Sequence, residues 1–168
     1  DAGIVQCVNL KSLNASNNSK ITNVNHLSKL EILDASESCG INDAGIINCI
    51  NLKSLCAFNN PNITNINHLV KLEILNAKDE SVIRDDKCEC GINDAGIVQC
   101  INLKSLDASF NKKITNVNHL LKLEILDAAD KCGINDAGIV GCINLKSLNV
   151  SYNSKITNVN HLAKLEIL

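Results

Sequence analysis

Apolar residues recur along this chain at spacings of two and three, in an order that repeats from end to end. One stretch follows the pattern L-x-x-L-x-A-x-x-N-x-x-I-x-x-V-x-x-L, with named positions Leu10, Leu13, Ala15, Asn18, Ile21, Val24 and Leu27. Around Leu13 apolar and polar residues alternate, which is the period of a β-strand. Such a strand directs Leu13 and Ala15 to one side, and Ser12, Asn14 and Ser16 to the other.

This pattern belongs to a longer unit of fixed length. The heptapeptide ITNVNHL, once as ITNINHL, occupies residues 21–27, 63–69, 114–120 and 156–162. Asp1 and Asp43 are 42 residues apart, as are Asp94 and Asp136, whereas Asp43 and Asp94 are 51 apart. A fixed period of this length is typical of a solenoid, in which each unit packs only against its neighbours. A solenoid offers a surface that holds a partner rather than a pocket that reacts.

We therefore expect one elongated domain over residues 1–168, with an insertion within 79–88. Its eight strand segments should lie in parallel, about 4.8 Å apart. The sequence begins and ends inside a repeat, and solenoids need covered ends to stay soluble. We expect either a piece of a longer protein or an array that stacks end to end.

The repeats resemble those of the leucine-rich-repeat family. The segments LDASFNKKI (106–114) and LNVSYNSKI (148–156) look like the family's strand-plus-asparagine signature, and CGINDAGI is similar to its cysteine-containing subtype. The resemblance covers the whole chain. It implies an α/β solenoid of about eight repeats: a curved horseshoe with a parallel β-sheet on the concave face and 3₁₀ or short helices on the convex face.

Two expectations concern the segments that return from one strand to the next. The first repeat type should return through a 3₁₀ turn, and the second through a short helix capped at its N-terminus by Asp43, Asp94 and Asp136. The asparagine of the first pattern should point inward and bond to neighbouring backbone groups, because an amide serves donors and acceptors together. This ladder comprises Asn18, Asn60, Asn111 and Asn153.

Cysteine placement bears on the compartment. Seven of the nine cysteines fall into two repeating registers, Cys7, Cys49, Cys100 and Cys142 in one, and Cys39, Cys90 and Cys132 in the other. A cysteine that recurs once per unit behaves like a small buried apolar residue. This usage predicts reduced structural thiols and a cytoplasmic protein. The alternative is a secreted or surface-exposed protein whose targeting region lies outside this sequence.

Other chemistry finds little support in the residues. The four histidines recur once per unit and should lie roughly 10 Å apart, too far to share a metal ion. Cys88 and Cys90 lack a second ligand pair, and no phosphate-binding glycine loop is present. The net charge is −2 and no apolar run approaches about 18 residues, so we expect neither nucleic acid nor membrane as a partner. We predict no enzyme activity, no cofactor and no metal.

The units differ from one another mainly at outward strand positions and in the loops that follow. All three aromatic residues lie in this variable set, and aromatic residues dominate interface hot spots. Drift at exposed sites is the alternative interpretation. The resemblance also implies an ordinary reason for Phe110 and Tyr152, because the family often has an aromatic residue just before the strand's asparagine, so only Phe58 is unusual in position. An outward row that alternates serine with isoleucine is either a contact surface or strand-favouring packing. The predicted contact residues are Phe58, Lys78, Arg84, Asp107, Phe110, Asp127 and Tyr152.

The first functional hypothesis is a non-enzymatic module that binds a protein partner on the concave face and the strand-exit loops. The acidic residues near this face favour a partner with a basic patch. The second hypothesis is a structural spacer or a self-stacking array. The third is the substrate-recognition arm of a larger enzyme, such as a ubiquitin ligase, which rests on analogy alone.

Overall fold

The computed structural model describes residues 1–80 and 89–168. Its sheet has seven strands in sequence order, each paired in parallel with the next. The strands are β1 (Ser12–Asn14), β2 (Ile32–Asp34), β3 (Ser54–Cys56), β4 (Ile74–Asn76), β5 (Ser105–Asp107), β6 (Ile125–Asp127) and β7 (Ser147–Asn149). The predicted eighth segment is present as a single bridge between Ser147 and Ile167. The parallel ribbon predicted from the leucine spacing is confirmed.

Strand register places the central leucines in one row. Leu33 pairs with Leu55, Leu55 with Leu75, and the same alignment continues along the sheet. Each of these leucines is only 1% exposed, and the alanines two residues later are buried as well. The residues on either side of each leucine point outward, as period-two alternation requires. The terminal Leu13 is half-buried and packs against the same core.

The asparagine ladder is also present. The Nδ2 group of Asn111 donates to the carbonyls of Ala77 (2.8 Å) and Ile92 (3.2 Å). Its Oδ1 accepts from the backbone N–H groups of Lys113 (2.9 Å) and Ile114 (3.2 Å). Asn60 and Asn153 donate to the equivalent carbonyls of their own neighbouring coils. Asn60, Asn111 and Asn153 thus satisfy backbone groups of two coils that would otherwise be buried without partners. Asn18, in the first coil, is exposed, and its side chain accepts from Lys20 N–H (3.1 Å).

The return segments differ from the prediction. The 3₁₀ helices belong mainly to the second repeat type, at η1 (Ala2–Ile4), η2 (Asp43–Gly45), η3 (Asp94–Ile97) and η4 (Asp136–Ile139). The first type returns through hydrogen-bonded turns, such as Leu27 N–H to the Val24 carbonyl (3.0 Å). The assignment of the aspartates as N-caps was wrong. The preceding asparagine is the cap, as where Asn42 Oδ1 accepts from Gly45 N–H (3.0 Å).

The aspartates instead join one coil to the next. Asp94 Oδ1 accepts from the backbone N–H of Thr115 (2.8 Å) and Asn116 (3.2 Å), and its Oδ2 accepts from Thr115 Oγ1 (2.6 Å). Asp1, Asp43 and Asp136 make the same three contacts in their own units. Sequence reasoning missed this role because the two partners lie 21 residues apart.

Cysteine and histidine side chains form hydrogen bonds with backbone carbonyls of neighbouring coils. The eight described cysteines are free thiols, and Cys100 Sγ donates to the buried Ile66 carbonyl (3.6 Å). Burial raises the pKa of Cys100 to about 11 and that of Cys90 to about 12, so both remain protonated at neutral pH. The histidines each bond through Nε2 to a carbonyl of the preceding coil, as His119 does with Ile97 (3.1 Å). No helix within residues 1–80 and 89–168 has the length and apolarity to cross a bilayer.

Candidate binding face

The outward side of the seven strands and the first residues after them form a continuous surface, here called the sheet face. Its first row alternates serine with isoleucine, and Ile32, Ile74 and Ile125 are each 50% exposed. Register places Ile74 beside Ser54 and Ser105, so the isoleucines are separated by a strand each. The isoleucine side chains are therefore separate apolar sites flanked by serines, and they do not pack into one apolar cluster.

The second row consists of the last residue of each strand, and its side chains fold back on the chain. Asp107 Oδ1 accepts from the N–H of Ser109 (3.0 Å) and from Ser109 Oγ (2.6 Å). The same turn, closed by the side chain on the N–H two residues later, recurs at Asn14, Asp34, Asn76, Asp127 and Asn149. Aspartate and asparagine favour such turns because their oxygen reaches that N–H. This row fixes how each strand ends.

Four predicted contact residues come together around the ends of β4, β5 and β6. Lys78 Nζ lies 2.6 Å from Glu80 Oε1 and 5.9 Å from the centre of the Phe110 ring. The Glu80 hydrogen bond, with the charges of Glu80, Asp107 and Asp127, holds the pKa of Lys78 above its ordinary value. Among the described residues, the result is a half-buried cluster of the Lys78 cation, several carboxylates and the Phe110 ring.

Asp107 and Asp127 are direct neighbours in this cluster. They are paired in the register of β5 and β6, and Asn149 Nδ2 donates to Asp127 Oδ2 (3.0 Å). Burial raises the pKa of Asp107, although the hydrogen bonds from Ser109 oppose the shift. The face thus holds a partly desolvated carboxylate at a position where Asn14, Asn76 and Asn149 show that a neutral amide fits.

Replacing Asp107 by asparagine is expected to increase stability at neutral pH by a small amount, on the order of 0.5 kcal/mol. The folded-state pKa of Asp107 lies above the ordinary pKa of an aspartate. The stability difference is therefore absent below that ordinary pKa, grows as pH rises through it, and is complete above the folded-state pKa. Urea unfolding of both proteins at pH 3 and pH 7 measures it. A loss of stability at pH 7 would show that the charge supports the fold.

The remaining predicted contact residues lie apart from this cluster. Phe58 follows β3 and is half-buried, two strands before the equivalent segment of Phe110. Tyr152 follows β7, a further two strands along, and is 91% exposed. Arg84 lies outside the described residues. The aromatic contacts are thus spread along one edge of the sheet face at intervals of roughly 10 Å.

A backbone feature of this edge was missed from the sequence. The third residue after the strand adopts a left-handed conformation in six coils, with φ between 50° and 62°, at Asn17, Glu37, Asn59, Phe110, Asp130 and Tyr152. The equivalent residue after β4, Asp79, does not. Asparagine tolerates this conformation, whereas a bulky side chain is strained in it. The recurrence of asparagine and aspartate at this position was the signal that could have revealed it. Phe110 and Tyr152 occupy strained positions at which the fold does not require an aromatic ring.

Replacing Tyr152 by asparagine should therefore raise the free energy of unfolding by about 0.5–1 kcal/mol, because asparagine adopts the left-handed region more readily. Thermal or urea unfolding measures the change. Asn17→Tyr is the reverse substitution at the equivalent position and should lower stability by a similar amount. A destabilising effect of Tyr152→Asn would mean that the ring supports the fold.

Solved structures share this architecture over almost the whole chain. An internalin (inlF) from Listeria monocytogenes aligns with 97% of the chain at a TM-score of 0.67 and 19% identity. Internalin C2 (inlC2) from the same organism aligns with 98% at 0.64 and 18% identity. A leucine-rich-repeat protein from Leptospira interrogans aligns with 99% at 0.63 and 17% identity. No protein-family model matches the sequence, and no curated protein matches it.

The chain therefore has the fold of leucine-rich-repeat solenoids, as the sequence resemblance predicted. The chain spans 48% of the inlF structure, 83% of the inlC2 structure and 50% of the Leptospira structure. At identities below one fifth, this structural likeness establishes the fold alone, because one fold hosts many functions.

Proposed function

We propose that this chain is a non-enzymatic protein-binding module, and that its partner contacts the sheet face and the adjoining strand-exit edge. The observation that carries the proposal is the placement of Phe110 and Tyr152 at left-handed backbone positions where other coils have asparagine or acidic residues. Strained residues kept on an otherwise regular frame are a recognised sign of a functional constraint. Aromatic residues are also the side chains that most often dominate binding energy.

The cluster at the ends of β4 to β6 supports the same surface and suggests its partner. Lys78 forms an ion pair with Glu80. Asp107 and Asp127 lie side by side, and neither is bonded to a cation among the described residues. A basic side chain of a partner would neutralise this carboxylate pair and be screened little in the half-buried setting. The proposed partner is a protein with a basic patch beside an apolar contact for Phe110. Arg84, in the adjacent insertion, stays a predicted contact residue.

The proposal is tested by a triple variant in which Phe58, Phe110 and Tyr152 become alanine. The immobilised wild-type chain should enrich a protein partner from a lysate of the source organism, and the triple variant should lose it, by roughly a hundredfold in affinity once that partner is purified. Mass spectrometry identifies the partner, and circular dichroism checks the fold.

A matched control changes three exposed residues away from the sheet face, Asn48, Gln99 and Asn160, to alanine. This control should retain the partner. Equal enrichment by the wild type and the aromatic triple variant would refute the proposed surface.

A further inference from the structure

A second surface of the solenoid is apolar and lies away from the sheet face. It consists of one row formed by Ile50, Val70, Ile101, Leu121 and Ile143, and a second row formed by Ile47, Val98 and Val140. These eight side chains are between 48% and 60% exposed. We call them the flank strip. The core does not need these side chains, because other residues nearby in the sequence fill it. Around Ile101, for example, the core residues are Cys100 and Leu103.

Hydrogen bonds between coils show that the first row is continuous. Asn102, next to Ile101, donates from Nδ2 to the carbonyl of Val70 (2.7 Å), and Asn144, next to Ile143, donates to the carbonyl of Leu121 (2.8 Å). In the other direction, Lys71, next to Val70, donates to Asn51 Oδ1 (2.7 Å), and Lys122, next to Leu121, donates to Asn102 Oδ1 (2.6 Å). The five aliphatic side chains therefore stand on five successive coils without an interruption.

The two long borders of the strip carry opposite charges. On one border, Lys71, Lys122 and Lys164 bond to neutral asparagine oxygens at 2.6–2.7 Å, which leaves their charge uncompensated by those contacts. Three other lysines, further from the apolar row, have their charge compensated. Lys53, Lys104 and Lys146 form ion pairs with Glu31, Glu73 and Glu124.

Aspartates form the other border. Asp43 lines the same shallow depression as Ile47, and Asp94 lines the equivalent one beside Val98. Hydrogen bonds from Thr157 and Asn158 hold the pKa of Asp136, the third member, below its ordinary range, so it stays charged. Cations and anions recur with the same period, once every two coils, on opposite sides of one apolar row.

We propose that the flank strip is the contact surface of a homodimer, in which two copies face each other with their coils advancing in the same direction. A two-fold axis parallel to the strip lays apolar row on apolar row and brings each lysine border opposite the aspartate border of the second copy. The opposite orientation would place lysines against lysines. The surface is self-complementary in the sense that a symmetric dimer requires.

The apolar area matches this occupant. Half-exposed aliphatic side chains each offer roughly 50 Å² of apolar surface, so the strip offers on the order of 400 Å². A standard interface buries about 800 Å² from each partner, of which a little more than half is apolar. An anionic membrane fits this strip poorly, because the aspartate border repels anionic lipids and so cancels the attraction between those lipids and the lysine border.

Sedimentation velocity over a wide concentration range tests the proposal. The wild-type chain should show a reversible equilibrium between monomer and dimer. Ile101→Lys, in the middle of the strip, should weaken dimerisation by roughly thirtyfold or more. Ile125→Lys is the matched control, since Ile125 is 50% exposed on the sheet face and Ile101 is 54% exposed. The control should dimerise like the wild type, and circular dichroism confirms that both variants fold.

Each other outcome overturns the inference. A chain that stays monomeric at all concentrations has no such interface. Open-ended growth that Ile101→Lys leaves unchanged would indicate stacking through the ends of the solenoid. A monomer that co-sediments with phosphatidylserine vesicles, and loses this property with Ile101→Lys, would assign the strip to a membrane surface.

Discussion

Replacing Asn111 by alanine is expected to lower the free energy of unfolding by about 3 kcal/mol or more. The Asn111 side chain is fully buried and bonds to four backbone groups, two carbonyls and two N–H groups, on its own and neighbouring coils. Alanine leaves these groups without the amide, and a buried polar group without a partner costs about 1–3 kcal/mol. Urea unfolding followed by circular dichroism measures the loss.

Asn18→Ala supplies the control for this prediction. Asn18 holds the same position of the repeat in the first coil but is exposed, and its side chain accepts from Lys20 N–H (3.1 Å). Water can replace what the amide supplies there, so the expected loss is below about 1 kcal/mol. Equal losses for the two variants would contradict the ladder as the source of the stability, because burial is the main difference between the sites.

Gly96→Ala is expected to cost about 3 kcal/mol through steric conflict. A Cβ atom at Gly96 would lie 2.0 Å from the carbonyl oxygen of Thr64 on the preceding coil. Because that oxygen belongs to the backbone, relief requires one coil to move away from the other. The movement would also strain the hydrogen bond from Ile66 N–H to the Gly96 carbonyl (3.0 Å). Overpacking of this kind typically costs about 1–3 kcal/mol, and backbone contacts stand at the upper end.

Gly3→Ala tests whether the Gly96 effect comes from coil contact. Gly3 belongs to the same DAGI motif in the first unit, and a Cβ atom there would have no neighbour within 4 Å. The expected change in unfolding free energy is within about 0.5 kcal/mol. Thermal and urea unfolding of the two variants should therefore differ clearly. A tolerated Gly96→Ala would mean that the coils are not packed as closely as the structure has them.

The sheet could be predicted because its signal is local. Leu13 and Ala15 show the strand period within a few residues, and repetition of that period fixes which segments lie side by side. The ladder asparagines were predictable for the same reason, since one residue type recurred at one buried position. The return segments were not, because Asp94 acts on Thr115 of another coil, and only the stacking of coils reveals that distance of 21 residues.

The sequence indicates where the candidate binding face lies, but not the backbone geometry of its aromatic residues. Comparison of the units identified Lys78, Asp107 and Phe110, and the acidic residues near the sheet face included Asp127. The structure brings these four together. The same comparison gave no indication that Phe110 has a left-handed backbone, because φ depends on the turn that Asp107 closes with Ser109. The charge alternation across the flank strip also escaped notice, since its two borders come from different repeat types.

The most direct test of the proposed function is site-specific photo-crosslinking from two positions of equal exposure. Ile125 on the sheet face is 50% exposed and Val98 on the flank strip is 48% exposed. A photoreactive amino acid at each position probes what lies within reach in a lysate. We expect the partner enriched by the wild-type chain to be crosslinked from position 125 and not from position 98. Crosslinking of that partner from position 98, with none from position 125, would contradict it.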